Sequence, residues 1–80
     1  MPPLEQVRTI LSETLGVTQL GRERDTPLLG SVPELDSMAV AGVITALEQR
    51  FDIEVLDDEI NARHFATLGT LSDFVQSKLA

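Results

Sequence analysis

The chain contains no cysteine. Disulfide staples, thiolate metal sites and a cysteine nucleophile are thereby excluded. A single histidine, His64, is present. With no cysteine or second histidine to share a metal, it reads as a surface or packing residue, and no metal site is expected. Asp57-Asp58-Glu59 lacks the alternating oxygen ligands and glycine of a calcium loop. Bases are scarce: 6 Lys and Arg stand against 13 Asp and Glu, a net charge of -7. Such a surface repels nucleic acid and anionic lipid, so neither is an expected partner. It favours approach to basic patches on other proteins. No apolar run nears the ~20 residues that a membrane helix needs, so no membrane insertion is expected. The start, Met1-Pro2-Pro3-Leu4-Glu5, has no basic region followed by an apolar stretch, so no secretory signal is read and a cytoplasmic location is expected.

With 80 residues the chain is read as one domain spanning 1–80, expected as a monomer. A small chain without cross-links relies on packing alone, which a helical bundle supplies most readily. Leu4, Val7, Ile10, Leu11 and Leu15 recur at helical spacing. Pro3 suits a first helical turn, and Gly16 suits a left-handed C-terminal cap. A first helix over about 3–15 follows. Residues 16–35 hold three glycines and two prolines and no long period, which marks a long first loop. Leu20, Leu28, Leu29 and Val32 are expected to pin it to the core.

Asp36 is an N-cap for a second helix over 37–51, whose stripe is Val40, Val43, Ile44, Leu47 and Phe51. Ile53 and Val55 alternate with acids over too short a span for a strand and read as an extended linker. Asp57-Asp58-Glu59-Ile60-Asn61 opens a short third helix, because acids suit the positive end of a helix dipole. Thr67 caps a last helix with Leu68, Leu71, Phe74, Val75 and Leu79 buried and Lys78 near its C-terminus. The fold class is all-α: a small four-helix bundle of three longer helices and one short one.

Asp36-Ser37-Met38 is the segment that could carry chemistry. As a bare tripeptide it is a capping turn. Ser37 at a helix N-terminus also stands where backbone N–H groups and the dipole stabilise an anion such as a phosphodiester. Ser37 has no companion base, since His64 lies far along the chain, so a serine modified by another enzyme fits better than a self-activated nucleophile. No base, metal site or phosphate loop supports an enzyme.

Leu35-Asp36-Ser37-Met38, then Leu47-Glu48, then Phe51-x-Ile53 ahead of acids, resembles the signature of acyl and peptidyl carrier proteins. The likeness extends over the first helix, the Pro/Gly-containing loop and Thr67-Leu68. It implies an acyl-carrier-protein-like four-helix fold and a 4′-phosphopantetheine arm on Ser37, with Asp36 as the flanking motif residue and helix cap. The arm is taken from coenzyme A by a phosphopantetheinyl transferase. Acyl or aminoacyl intermediates ride on it as thioesters, delivered by a non-catalytic carrier to acyl-loading and acyl-using enzymes that dock on the second helix. Tethering of this kind raises the effective concentration of cargo at each partner. By helical phase the docking face is Met38, Ala41, Gly42, Thr45 and Glu48. Met38 stands where leucine is commoner, and Gly42 where fatty-acid carriers often place an acid. The Leu35-Asp36-Ser37-Met38 form is similar to specialised stand-alone bacterial carriers, including D-alanyl carriers and those of accessory pathways such as exopolysaccharide assembly. The other expectation the residues allow is a small acidic helical interaction module with no prosthetic group.

Overall fold

The computed structural model describes residues 3–18 and 20–79, with Asp57 described by its backbone alone. Met1 and Pro2, part of the segment read for a secretory signal, lie outside the described residues, as does the Asp57 carboxylate read as a helix-opening acid. Three α-helices, α1 (Leu4–Leu15), α2 (Ser37–Phe51) and α3 (Leu68–Leu79), form the bundle, with two 3₁₀ turns, Asp57–Glu59 and Ala62–Phe65, between α2 and α3. Among the described residues there is no strand, only an isolated antiparallel bridge between Pro27 and Thr67.

The first helix starts at Leu4, one residue after the start at about residue 3 expected from Pro3. Pro3 is the cap rather than the first helical residue, and its carbonyl accepts the Val7 N–H at 2.8 Å. Gly16 ends the helix with φ 70°, a left-handed conformation that costs glycine little. Val7, Ile10 and Leu11 face the core, and α1 packs on both α2 and α3.

The long loop is held by backbone groups as much as by apolar side chains. Leu28 and Leu29 donate to the carbonyls of Ala66 and Phe65 at 3.0 and 2.9 Å. Leu68 and Gly69 donate to Thr26 and Arg24 at 2.9 and 2.8 Å. The Arg8 guanidinium reaches the Leu20 carbonyl at 2.9 Å and the Gly21 carbonyl at 3.2 Å. Satisfying these groups internally is what lets a segment with so little regular structure stay ordered. Leu20 and Leu28 are buried and Val32 is half-buried, as expected. Leu29 is not a core residue: its neighbour Leu28 takes the buried place, and Leu29 is left 41% exposed. Leu35, not anticipated as an anchor, is buried and delivers the chain to α2.

The segment expected to form a short α-helix forms the two 3₁₀ turns instead. Asn61 is extended (φ -140°, ψ 140°) and its side chain accepts the Arg63 N–H, so it ends one turn and caps the next. Glu59, inside the first turn, accepts the Leu56 N–H and both of its oxygens meet the Lys78 ammonium at 2.8 and 2.9 Å. Thr67 and Thr70 then cap α3 reciprocally: each backbone N–H donates to the other's hydroxyl oxygen, at 3.0 and 3.1 Å. This is a capping box with threonine in place of the usual glutamate. Leu68, Leu71 and Val75 are fully buried. Phe74 is half-buried under the His64 ring, with centroids 4.3 Å apart. Leu79, expected in the stripe, is 45% exposed at the helix end.

Candidate functional site

The start of α2 is fixed from both sides. Leu35 is buried, and the Asp36 carboxylate folds onto the Ala39 N–H at 2.8 Å while its carbonyl accepts from Val40 at 2.9 Å. Between these anchors and the body of the helix, Ser37 is exposed as the first helical residue. The chain has five serines. The Ser12 hydroxyl donates to the Val17 carbonyl, Ser77 donates to Phe74, and Ser72 is buried. Ser31 and Ser37 are the exposed ones whose hydroxyls have no hydrogen-bond partner among the described residues, and Ser37 alone stands at a helix N-terminus. The Ser37 and Met38 N–H groups likewise have no protein acceptor among the described residues, so an anion borne on Ser37 would meet the positive end of a 15-residue helix.

The other site residues read from the sequence lie along α2. Met38 is 84% exposed, and Ala41, Gly42 and Thr45 are exposed. Thr45 turns its hydroxyl back onto the Ala41 carbonyl at 3.1 Å. Glu48 stands apart from these: it is half-buried and its Oε2 accepts the Val55 N–H at 2.9 Å, tying the linker to α2. Glu59 and Lys78, which periodicity does not single out as a pair, bind each other beyond the linker. The hydrogen bond from Lys78, then that from Leu56, holds the Glu59 carboxyl below the usual carboxylate range. On the far side Arg24 meets Asp73 at 2.6 Å, which raises the guanidinium above its ordinary value. His64 is engaged on Phe74. Among the described residues no three acid or histidine side chains converge on a metal position, and no helix is long and apolar enough to cross a membrane.

Comparison with known proteins gives the family. The family model described as phosphopantetheine attachment site matches residues 5–76. An acyl carrier protein of Guillardia theta is 33% identical over 76 residues, covering 95% of this chain and 90% of that protein. One from Sulfurovum sp. (strain NBC37-1) is 30% identical over 77 residues, covering 96% and 99%. The solution NMR structure of a holo acyl carrier protein from Nitrosomonas europaea superposes with a TM-score of 0.88 at 52% identity, covering 99% of this chain and 98% of that one. The chain belongs to the phosphopantetheine-attachment family of carrier proteins. Within it the chain is an acyl carrier protein, a non-catalytic carrier whose cofactor is 4′-phosphopantetheine. The expectation of an interaction module without a prosthetic group is not favoured.

Proposed function

We propose that Ser37 is the attachment residue, that a phosphopantetheinyl transferase loads it from coenzyme A, and that enzymes which load and use the acyl group approach along α2. The observation that carries this reading is the placement of Ser37: an exposed hydroxyl on the first residue of α2, inside the family-matched segment, on a turn locked by Leu35 and Asp36. The residues fit the group. The N-terminal N–H groups of α2 suit the phosphodiester; among the described residues no side chain is hydrogen-bonded to the Ser37 hydroxyl, and the Asp36 carboxylate is taken by the Ala39 N–H, so the proton leaves to the transferase. In attachment the Ser37 oxygen takes the place of the adenosine-bearing phosphate on the pantetheine phosphorus, and the pyrophosphate bond of coenzyme A breaks. When bound, the group supplies a terminal thiol that holds acyl or aminoacyl groups as thioesters. The chain's own part is to hold that tether on a rigid helix end while the arm moves cargo between enzymes.

The test is intact-protein mass after incubation with coenzyme A and a broad-specificity phosphopantetheinyl transferase, with Ser37→Ala alongside. A gain of one phosphopantetheine group on the parent, absent from Ser37→Ala, is expected. A gain that survives in Ser37→Ala would move the site to another hydroxyl, with Ser31 the next to test.

A further inference from the structure

A groove of about 420 Å³ runs between α1 and the C-terminal half of α2. Its floor is apolar: Ile10 is buried and Ala46 is half-buried. Its walls are polar and exposed, with Gln6 and Glu13 on α1 and Gln49 and Arg50 on α2. None of these four side chains has a hydrogen-bond or ion-pair partner among the described residues. A second groove, beside the Ala62–Phe65 turn, is different. There His64 lies on Phe74, Asp73 pairs with Arg24, and the Thr70 and Ser77 hydroxyls donate to backbone carbonyls. Its polar groups are largely spent, whereas those between α1 and α2 are free.

The direction of the helices sets the spacing of the charges. Thr14 lies beside Gly42, where an added Cβ would meet its methyl at 3.8 Å. Were the helices parallel, Gln6 would then fall beside the chain that precedes α2, and it could not share a groove with Arg50. They are therefore antiparallel, with Glu13 at one end of the groove and Gln6, Gln49 and Arg50 at the other. At about 1.5 Å per residue, Glu13 and Arg50 stand roughly 10 Å apart along it. That is about one Debye length at physiological salt, so neither charge satisfies the other. A base in the last turn of α2 complements the helix dipole. The dipole accounts for a cation at Arg50, but not for a free carboxylate and two free amides around an apolar floor.

We propose that this groove is a separate docking site for an extended segment of a partner protein, one that carries an acid and, three residues away, a base. An extended chain advances about 3.3–3.6 Å per residue, so three residues span the roughly 10 Å between the two charges. The acid meets Arg50 and the base meets Glu13. The Gln6 and Gln49 amides donate to and accept from the peptide backbone. An apolar side chain between the two charges lies on Ile10 and Ala46. A second copy of the chain is a poor occupant, because each copy carries a net charge of -7. Arg50 lies thirteen residues, about 20 Å, along α2 from Ser37. A partner held here leaves the Ser37 end open, so the carrier is kept near one protein while that end serves another.

The experiment is an amide NMR titration of the full chain with acetylated, amidated tetrapeptides. The probe carries glutamate, leucine, glycine and lysine, in that order and reversed, and a control has glutamine in place of the glutamate. The proteins are the parent, Arg50→Gln and Glu13→Gln, both substitutions at exposed positions that should melt with the parent. The expected result is saturable shifts at Gln6, Ile10, Ala46 and Gln49, with Ser37 and Met38 little moved. Arg50→Gln should raise the Kd about five-fold, as should the glutamine peptide, and the two changes together should do little more than either alone. Glu13→Gln should weaken the probe to a similar degree. No saturable shift at millimolar peptide overturns the proposal, as does a Kd that neither Arg50→Gln nor the glutamine peptide changes. Shifts centred on Ser37 and Met38 also overturn it. So do shifts of the groove residues that follow protein concentration without peptide, which assign the groove to a second copy.

Discussion

Glu48 leaves the end of α2 to accept the Val55 N–H through Oε2 at 2.9 Å, across seven residues of chain. The same residue's carbonyl accepts the N–H groups of Asp52 and Ile53. Glu48 is thus the post on which the linker turns, with its backbone closing the helix and its side chain holding the extended chain that follows. Glu48→Ala leaves the part-buried Val55 N–H without its partner and should cost about 1–3 kcal/mol. Glu48→Gln keeps a carbonyl acceptor and should cost less than half of that. Urea denaturation of the three proteins gives the comparison, and equal losses for both variants would mean that the charge, not the bond, is what Glu48 contributes.

Much of the bundle is legible in the sequence because it follows from one-dimensional rules. The stripes of α1 and α2, the Gly16 stop, the Asp36 cap and the Thr67 cap all depend on residues within about a turn of one another. The placement of Ser37 at the α2 start is local in the same sense. What is not legible depends on meetings across the chain. Arg8 on the Leu20 carbonyl, Gly69 on the Arg24 carbonyl and Lys78 on Glu59 join residues 12, 45 and 19 positions apart, and no spacing announces them. The 3₁₀ turns are hidden because Asn61, a residue that also sits in helix starts, acts here as an extended break. Helical phase places Glu48 on the docking surface, and phase says nothing about a linker that returns to bind it.

Two glycines in helices should respond oppositely to alanine. At Gly69 a Cβ would come within 2.8 Å of the Arg24 carbonyl oxygen and 2.9 Å of the Arg24 Cβ, while the Gly69 N–H donates to that same carbonyl. Backbone cannot yield as a flexible side-chain tip does, so the loop must shift, and Gly69→Ala should lose about 1–3 kcal/mol. Gly42→Ala meets no such obstacle and should gain about 0.5–1 kcal/mol. Thermal melts of both variants test the contrast. A Gly69→Ala protein that melts with the parent would show that the loop at Arg24 is not held against α3.

Ser72 is 1% exposed in α3, and its hydroxyl has no hydrogen-bond partner among the described residues. An unsatisfied buried hydroxyl is destabilising relative to an apolar group of similar shape. Ser72→Ala removes the hydroxyl and leaves a small side chain in a helix that favours alanine. It should be neutral or stabilise by up to about 1 kcal/mol. A clear destabilisation in urea denaturation would mean that the hydroxyl is bonded to a buried water.

The Glu59–Lys78 pair makes a stability difference that depends on pH with a definite sign. Both Lys78 and the Leu56 N–H hold the Glu59 carboxyl below its ordinary value. A carboxyl depressed in the folded state contributes stability that is fully present above the unfolded value, about 4.3 for glutamate, and disappears as pH falls through the lower folded value. The whole chain adds an opposing trend, because a protein of net charge -7 loses self-repulsion as its acids protonate and gains stability over the same range. The informative quantity is therefore the difference between the parent and Glu59→Gln, in which the general repulsion largely cancels. That difference should favour the parent and stay level from neutral pH down to roughly pH 5.5, then shrink as the pH falls further through the carboxylate range. Added salt should reduce it at neutral pH, since the pair is partly open to solvent. A difference that stays constant down to about pH 3, or one that grows as pH falls, would show that Glu59 is not held as the charged partner of Lys78.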